Sequence, residues 1–251
     1  MPINVGSTYK SSSQRARVIT EAWAAGNVFC PACPADRLEQ SPANTRAVDF
    51  VCSSCGQRYQ LKSKSSAITN KIVDGAYGTM IDALNSDTSP NLYLLQYDAV
   101  AWVVSNLLLI PYFAFPPSAI EKRNPLSSTA RRAGWIGCFI VLSRIPADAR
   151  IFVIRGGQPS PVDRVRDQYR RLLPMKQLDV KERGWTLDVL NILRRFDKPE
   201  FTNADVYAQS HELQALHPNN RHVTDKIRQQ LQVLRDAGFL THAGIGRWRL
   251  T

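Results

Sequence analysis

Acidic side chains are scarce in this sequence: 21 Asp and Glu stand against 32 Lys and Arg, a formal net charge of +11 over 251 residues. The resulting pI near 9.7 points to a polyanionic partner, nucleic acid first and an anionic membrane surface second. Cysteine is scarce as well. Five in a chain of this length are too few to staple a secreted scaffold, and their odd number argues the same way. An apolar leader is missing, because Met1–Arg17 is polar; its Ser and Arg content, with no acid before Glu21, gives only a faint likeness to a transit peptide. Internal repeats are missing too. The uncharged stretch Ala99–Ile120 is nominally long enough to span a bilayer, but Ser105 and Asn106 interrupt it as a turn, Pro111 breaks it again and Pro116–Pro117 end it. Two buried strands, Ala101–Val104 and Leu107–Ile110, are expected there, and no membrane segment. A hydrophobic fraction of 44% and a charged fraction of 21% exclude wholesale disorder and fibrous folds. The expectation is a folded, basic, cytoplasmic protein with one large domain or a medium and a small one.

Along the chain, Ser7–Ala25 favours a helix capped at Ser12 or Ser13, with Ala16, Ile19 and Trp23 at helical spacing. Arg46–Cys52 and Gln57–Lys64 are strand-like, and Ala76–Asn85 suits a helix. Strands are expected at Leu92–Tyr97 and Ile151–Ile154, besides the two named above. Helices alternating with strands suggest a mixed α/β sheet sandwiched by helices. The texture changes near Val180. Downstream, Trp185–Phe196, Asn203–Leu213 and Asn220–Ala237 read as helices, and Gly238–Thr251 suits a β-hairpin. Three helices and a hairpin make a winged helix. Lys176–Arg183 is the expected linker, which gives a larger domain over 1–180 and a small one over 181–251.

Cys30 and Cys33 form one C-x-x-C knuckle, and Cys52 and Cys55, followed by Gly56, form a second. Two such knuckles match the four-thiolate zinc pattern, each supplying two sulfurs to a tetrahedral ion. The competing readings are a redox dithiol, which needs only one motif, and buried thiols without a metal. Four thiolates leave no open coordination position, so the zinc is structural. Cys138, alone in an apolar run, reads as core.

Asp49 is a charge within the apolar run Val48–Val51, where a carboxylate is costly unless it is paired or holds a metal. Gln60 and Lys62, two apart on the next strand, leave the same face. The zinc hairpin would set that face beside Asp49. An acid on one strand, with an acid or amide and a lysine at i and i+2 on its neighbour, is the PD-(D/E)xK nuclease arrangement. Its carboxylates and the intervening carbonyl hold Mg²⁺, and its lysine positions the attacking water. The spacing alone is common and also fits an ordinary amphipathic strand. The basic charge, the knuckles, the upstream helix carrying Glu21 and the winged-helix tail favour the nuclease.

The sequence resembles the DpnI-type methyl-directed restriction endonucleases over nearly its full length. The likeness rests on Thr8–Lys10 with Ser13, Gln14, Ala16 and Arg17, the four cysteines around Asp49, Leu61–Lys64 and Asp74–Tyr77. It continues through Thr129–Cys138, Arg183–Thr186 and Lys226–Leu231. It implies an α/β (α+β) restriction-endonuclease-like domain with a zinc knuckle, then a winged helix, both reading double-stranded DNA methylated at adenine N6 in GATC. The implied reaction is Mg²⁺-dependent type II cleavage, with blunt ends and with the protein a monomer in solution. One position departs from the family pattern. Gln60 replaces a glutamate, so the site has one negative charge fewer and a weaker hold on Mg²⁺; other branches of the nuclease superfamily use Q-x-K. The alternative is a catalytically weak methyl-adenine reader or a zinc-containing winged-helix regulator.

The DNA-reading candidates are Arg131 and Arg132 on phosphates or bases and, by the resemblance, Trp135 against the adenine methyl. In the tail, Val223, Ile227, Leu231 and Leu234 form a core stripe. Arg221, Asp225, Arg228, Gln229 and Gln232 face the other way, and Asn220 and Arg221 stand at the helix start, where recognition helices read bases. The four histidines lack metal-ligand spacing and read as surface or phosphate-contacting residues.

Overall fold

Hydrophobic patterning divides the chain into short apolar strands and amphipathic helices, and a computed structural model places them. It describes residues 1–42, 45 and 47–251. In chain order the elements are α1 (Ser12–Asn27), β1 (Glu39–Gln40), β2 (Phe50–Val51), β3 (Arg58–Lys64), β4 (Lys71–Ala76), α2 (Tyr77–Asn85), β5 (Asn91–Tyr97) and β6 (Val104–Ile110). There follow β7 (Ile120–Lys122), β8 (Gly137–Val141), β9 (Ile151–Arg155), β10 (Gln158–Pro159), α3 (Val162–Arg171), α4 (Leu173–Lys176) and α5 (Val180–Leu193). The last are β11 (Glu200–Thr202), α6 (Asn203–Tyr207), α7 (Ser210–Leu216), α8 (Val223–Asp236), β12 (Leu240–Gly244) and β13 (Arg247–Leu250). The fold is mixed α/β with a C-terminal helix-turn-helix unit. None of the described helices is long and apolar enough to cross a membrane.

Two compact units result, each assembled from three segments: 1–69, 88–112 and 148–173 in one, 70–87, 113–147 and 174–251 in the other. The first holds a seven-stranded sheet of order β1-β2-β3-β5-β6-β9-β10. Its centre, β5 and β6, is apolar almost throughout: Leu92, Tyr93, Leu94, Leu95 and Leu107–Ile110 are all buried, as strands covered on both faces must be. β3 runs parallel to β5, pairing Gln60 with Leu92 and Lys62 with Leu94, so the strand of the candidate site is braced along its length by the core. Helix α1 meets β3 through the Thr20 hydroxyl, which donates to Ser63 Oγ at 3.0 Å, and Ile19 beside it is buried.

The second unit holds two three-stranded sheets, β4-β8-β7 and β11-β13-β12. In the first of these, Ile72, Ile140 and Ile120 lie across from one another and form its buried face. In the winged helix, Val223, Ile227, Leu231 and Leu234 are buried as the stripe requires. Buried polar groups fix its helices. Arg183 pairs with Asp87 at 2.5 Å, and Thr186 Oγ1 donates to Gln230 Oε1 at 2.5 Å. Asp188 accepts from Ser118 Oγ at 2.5 Å and lies 2.8 Å from His217 Nε2. Burial raises the Asp188 pKa against the opposing pull of His217 and Ser118. His217 also stacks on Trp185, with centroids 3.7 Å apart. This histidine is therefore a packing residue, contrary to the surface role expected of it.

Several expected boundaries move. The first helix begins at Ser12 behind a 3-10 turn, Ile3–Gly6, and Ser11 occupies the N-cap without a side-chain capping bond. The strand expected over Arg46–Cys52 shrinks to β2, and Arg46 itself lies outside the described residues. Of the expected strand Ala101–Val104 only Val104 is strand, as the start of β6; Ala101–Val103 end a turn in which Asp98 Oδ1 accepts from the amides of Val100 and Ala101 and Trp102 has a φ of 53°. Conversely, Ser105 and Asn106 lie inside β6, where Asn106 donates to Gln96 Oε1 at 2.8 Å. Asn203–Leu213 divides into α6 and α7. The helix expected over Asn220–Ala237 starts at Val223, and most of the expected linker is helical, with α5 starting at Val180.

Candidate active site

The thiol cluster is built from the two knuckles. In the first, the Cys30 amide donates to Ala35 O; in the second, the Cys52 amide donates to Gln57 O and the Gly56 amide to Cys52 O. Gly56 sits at φ +71°, a conformation side chains avoid. The four sulfurs lie within 4.8 Å of one another, with Cys33 and Cys52 3.5 Å apart and Cys30 and Cys55 3.6 Å apart. A tetrahedral ion with Zn–S bonds of ~2.3 Å needs sulfur separations of about 3.8 Å, so the four cysteines could hold zinc. Burial pushes the Cys52 thiol up, but the amides of Cys55 and Ser54 and the other thiols outweigh it and bring it down to about 7. Burial raises Cys30 despite its bond to Tyr59.

That bond ties the cluster to the catalytic candidates. The hydroxyl of Tyr59, buried on β3, lies 3.1 Å from Cys30 Sγ, and burial holds its pKa well above the ordinary phenol value, so it stays a donor. Tyr93 stacks on it at 5.6 Å and donates to Phe29 O at 3.0 Å. From α3, Arg166 reaches Cys30 O at 3.3 Å and Ala35 O at 3.2 Å.

Asp49 stands one residue before β2. Its amide donates to Tyr59 O at 2.9 Å, and its carboxylate accepts from the Leu61 amide at 2.7 Å. The carboxyl therefore lies against the β3 backbone where Gln60 projects, and Lys62 leaves the strand on the same face as Gln60. Gln60 and Lys62 are both half-buried. A fourth group joins them. Glu21 of α1 is coupled electrostatically to Asp49; burial raises its pKa first, Arg17 lowers it and Asp49 raises it again. Arg17 approaches it at 3.6 Å and Gln40 Nε2 at 3.5 Å. The sequence placed Glu21 on the upstream helix and counted it in favour of the nuclease without assigning it a partner; its proximity to Asp49 is a tertiary fact that spacing does not carry.

The remaining candidates lie in the second unit. Arg131 and Arg132 are exposed on a turn closed by Gly134 at φ +75°. The turn belongs to a hairpin in which Leu126 N donates to Trp135 O and Gly134 N to Leu126 O. Trp135 is half-buried. The Arg132 guanidinium lies 4.9 Å over its ring, and Gly137 lies beneath it: a Cβ there would meet the indole at 2.8 Å. The glycine is thus the seat of the ring. Near α8, Asn220 Oδ1 accepts from the His222 amide and Gln229 Oε1 from Lys226 Nζ, so both are partly engaged within the fold. Arg221 and Arg228 are exposed.

Comparison with known families gives two matches. A family model described as DpnI, Dam-replacing family, matches residues 1–178, and a Dam-replacing HTH domain matches residues 181–250.

Proposed function

The chain belongs to the DpnI, or Dam-replacing, family, and from that premise we propose that it is a type IIM restriction endonuclease. In this reading it hydrolyses phosphodiester bonds of double-stranded DNA at GATC sites containing N6-methyladenine and requires Mg²⁺. Residues 1–180 form the nuclease portion and 181–251 the winged helix. Trp135 contacts the adenine methyl, Arg131 and Arg132 hold the DNA beside it, and Asn220, Arg221, Arg228 and Gln229 contact DNA at the recognition helix. The cysteine cluster carries a structural zinc.

The observation that supports the chemistry best is the Asp49 carboxylate fastened to the Leu61 amide, between Gln60 and Lys62. Asp49, Gln60 Oε1 and the Leu61 carbonyl would hold Mg²⁺. When bound, the ion supplies positive charge for the developing phosphorane. Lys62 holds the attacking water against the phosphorus, and its positive charge favours loss of that water's proton to solvent. Glu21, coupled to Asp49, returns to the site the negative charge that Gln60 lacks.

Titrating Mg²⁺ against cleavage of a methylated duplex tests this assignment. Gln60→Glu is expected to reach half-maximal rate at lower Mg²⁺ than the parent chain, because a full charge binds the ion more tightly than an amide dipole. A glutamate variant that is inactive while the parent cuts well removes Gln60 from the metal. A parent chain that binds methylated DNA but cuts at no Mg²⁺ concentration establishes instead the methyl-reading protein without catalysis, which the neutral Gln60 favours.

A further inference from the structure

Two tracts of the sequence remain unused by the reading above, Tyr9–Arg17 and the end of β3 beyond Lys62. In the first unit they meet at one cavity of about 800 Å³. Its walls come from the approach to α1 and its first turns (Tyr9, Lys10, Arg15, Arg17), from the end of β3 and the residues after it (Ser63, Lys64, Ser65, Ser66), and from the β5–β6 turn, with Trp102. Four cations and no carboxylate line it.

The cations are unequal. Arg17 shares its charge with Glu21 at 3.6 Å, and Arg15 lies 6.0 Å over the Trp102 ring. Lys10 and Lys64 make no ion pair among the described residues. Lys64 is half-buried, which makes an uncompensated charge there costly. The cavity also receives the start of a 16-residue helix whose first turn carries no acid and whose N-cap hydroxyl bonds none of its amides, adding to the positive potential. Uncompensated positive charge from two side chains and a row of serine hydroxyls fits a phosphate better than a carboxylate metabolite or an apolar ligand. The position fits a polymer: Lys64 stands two residues, about 7 Å, farther along β3 than Lys62, at the strand end where the cavity, lined also by Leu61 and Ser63 from the other face, opens.

We propose that this cavity binds a backbone phosphate of the DNA strand being cut, next to the scissile one, with Lys10 and Lys64 as its ligands. The assignment rests on the nuclease reading. It adds a contact that positions the strand without reading sequence or methylation, and so fixes which phosphate stands before Lys62.

The test uses the full chain, as parent, Lys10→Ala/Lys64→Ala and Lys64→Arg, with zinc content and circular dichroism as checks on folding. Binding to one methylated duplex is measured across a salt series. Each lost phosphate contact lowers the slope of log K against log salt by about 0.9 and weakens binding about eightfold near 0.1 M salt. The double variant is expected to lose between one and two such contacts, to keep the preference for methylated over unmethylated duplex, and to shift or blur the cleavage position on a sequencing gel. Lys64→Arg is expected to restore most of the slope. A folded double variant with the parent's slope overturns the phosphate assignment, as does one whose affinity falls without a change in slope. Failure of the parent itself to bind or cut the duplex would count against the nuclease reading instead.

Discussion

In the Lys62→Ala protein, cleavage of methylated duplex is expected to fall by ~10²–10⁴-fold, the range over which a positioned proton-transfer group acts, while specific binding persists. The reason is positional. Lys62 lies on β3, paired with Leu94 in the parallel ladder, so shortening its side chain removes an ammonium without disturbing the backbone that carries Gln60 and accepts Asp49. Single-turnover cleavage and gel shifts at one salt concentration check it. A parallel loss of binding and cleavage would make Lys62 a docking residue rather than a chemical one.

Removal of zinc is expected to act on the same strand. The purified protein should contain about one zinc per chain, and chelation or Cys52→Ser should abolish cleavage by loosening β2 and β3. Structural zinc contributes apparent binding energies of ~10–16 kcal/mol in small domains, comparable with the whole stability of many folds at ~5–15 kcal/mol. Because Tyr59 joins Cys30 to β3 at 3.1 Å, a disordered knuckle releases the neighbour of Gln60. Elemental analysis finding no zinc in folded, active protein would refute the structural role. Hydrogen exchange of Arg58–Lys64, with and without chelator, would locate the loosening.

Much of this arrangement is legible in the sequence because it is local. The knuckles, the i, i+2 relation of Gln60 and Lys62, the core stripe of α8 and the terminal hairpin all follow from spacing within a few residues. What escaped depends on partners far along the chain. β4, for which the sequence suggested no strand, contains Asp74 and Gly75, residues that strands disfavour, yet it pairs with β8 more than sixty residues later. Asn106 reads as a breaker, but Gln96 and the Gly156 amide satisfy its side chain inside the sheet. Glu21 and Asp49 are likewise joined only by the fold. The tail shows the same dependence. A fragment beginning at Arg183 would sever α5 and part Arg183 from Asp87 and Asp188 from Ser118, so methyl reading is best tested in the whole chain.

Burying one methyl group is worth ~0.8 kcal/mol, about fourfold, and the two methyls of a symmetric site about fifteenfold. An enzyme that spares unmodified DNA needs more, and under the proposed function a second, independent reading of the methyls at α8 supplies it. The most direct measurement compares single-turnover cleavage of one GATC duplex, fully methylated or unmethylated at adenine N6, by the parent chain and by Trp135→Ala in Mg²⁺. The parent is expected to prefer methylated DNA by well over the fifteenfold of simple burial, and Trp135→Ala to narrow the ratio without unfolding the chain. Equal rates on the two duplexes by the parent chain would contradict it.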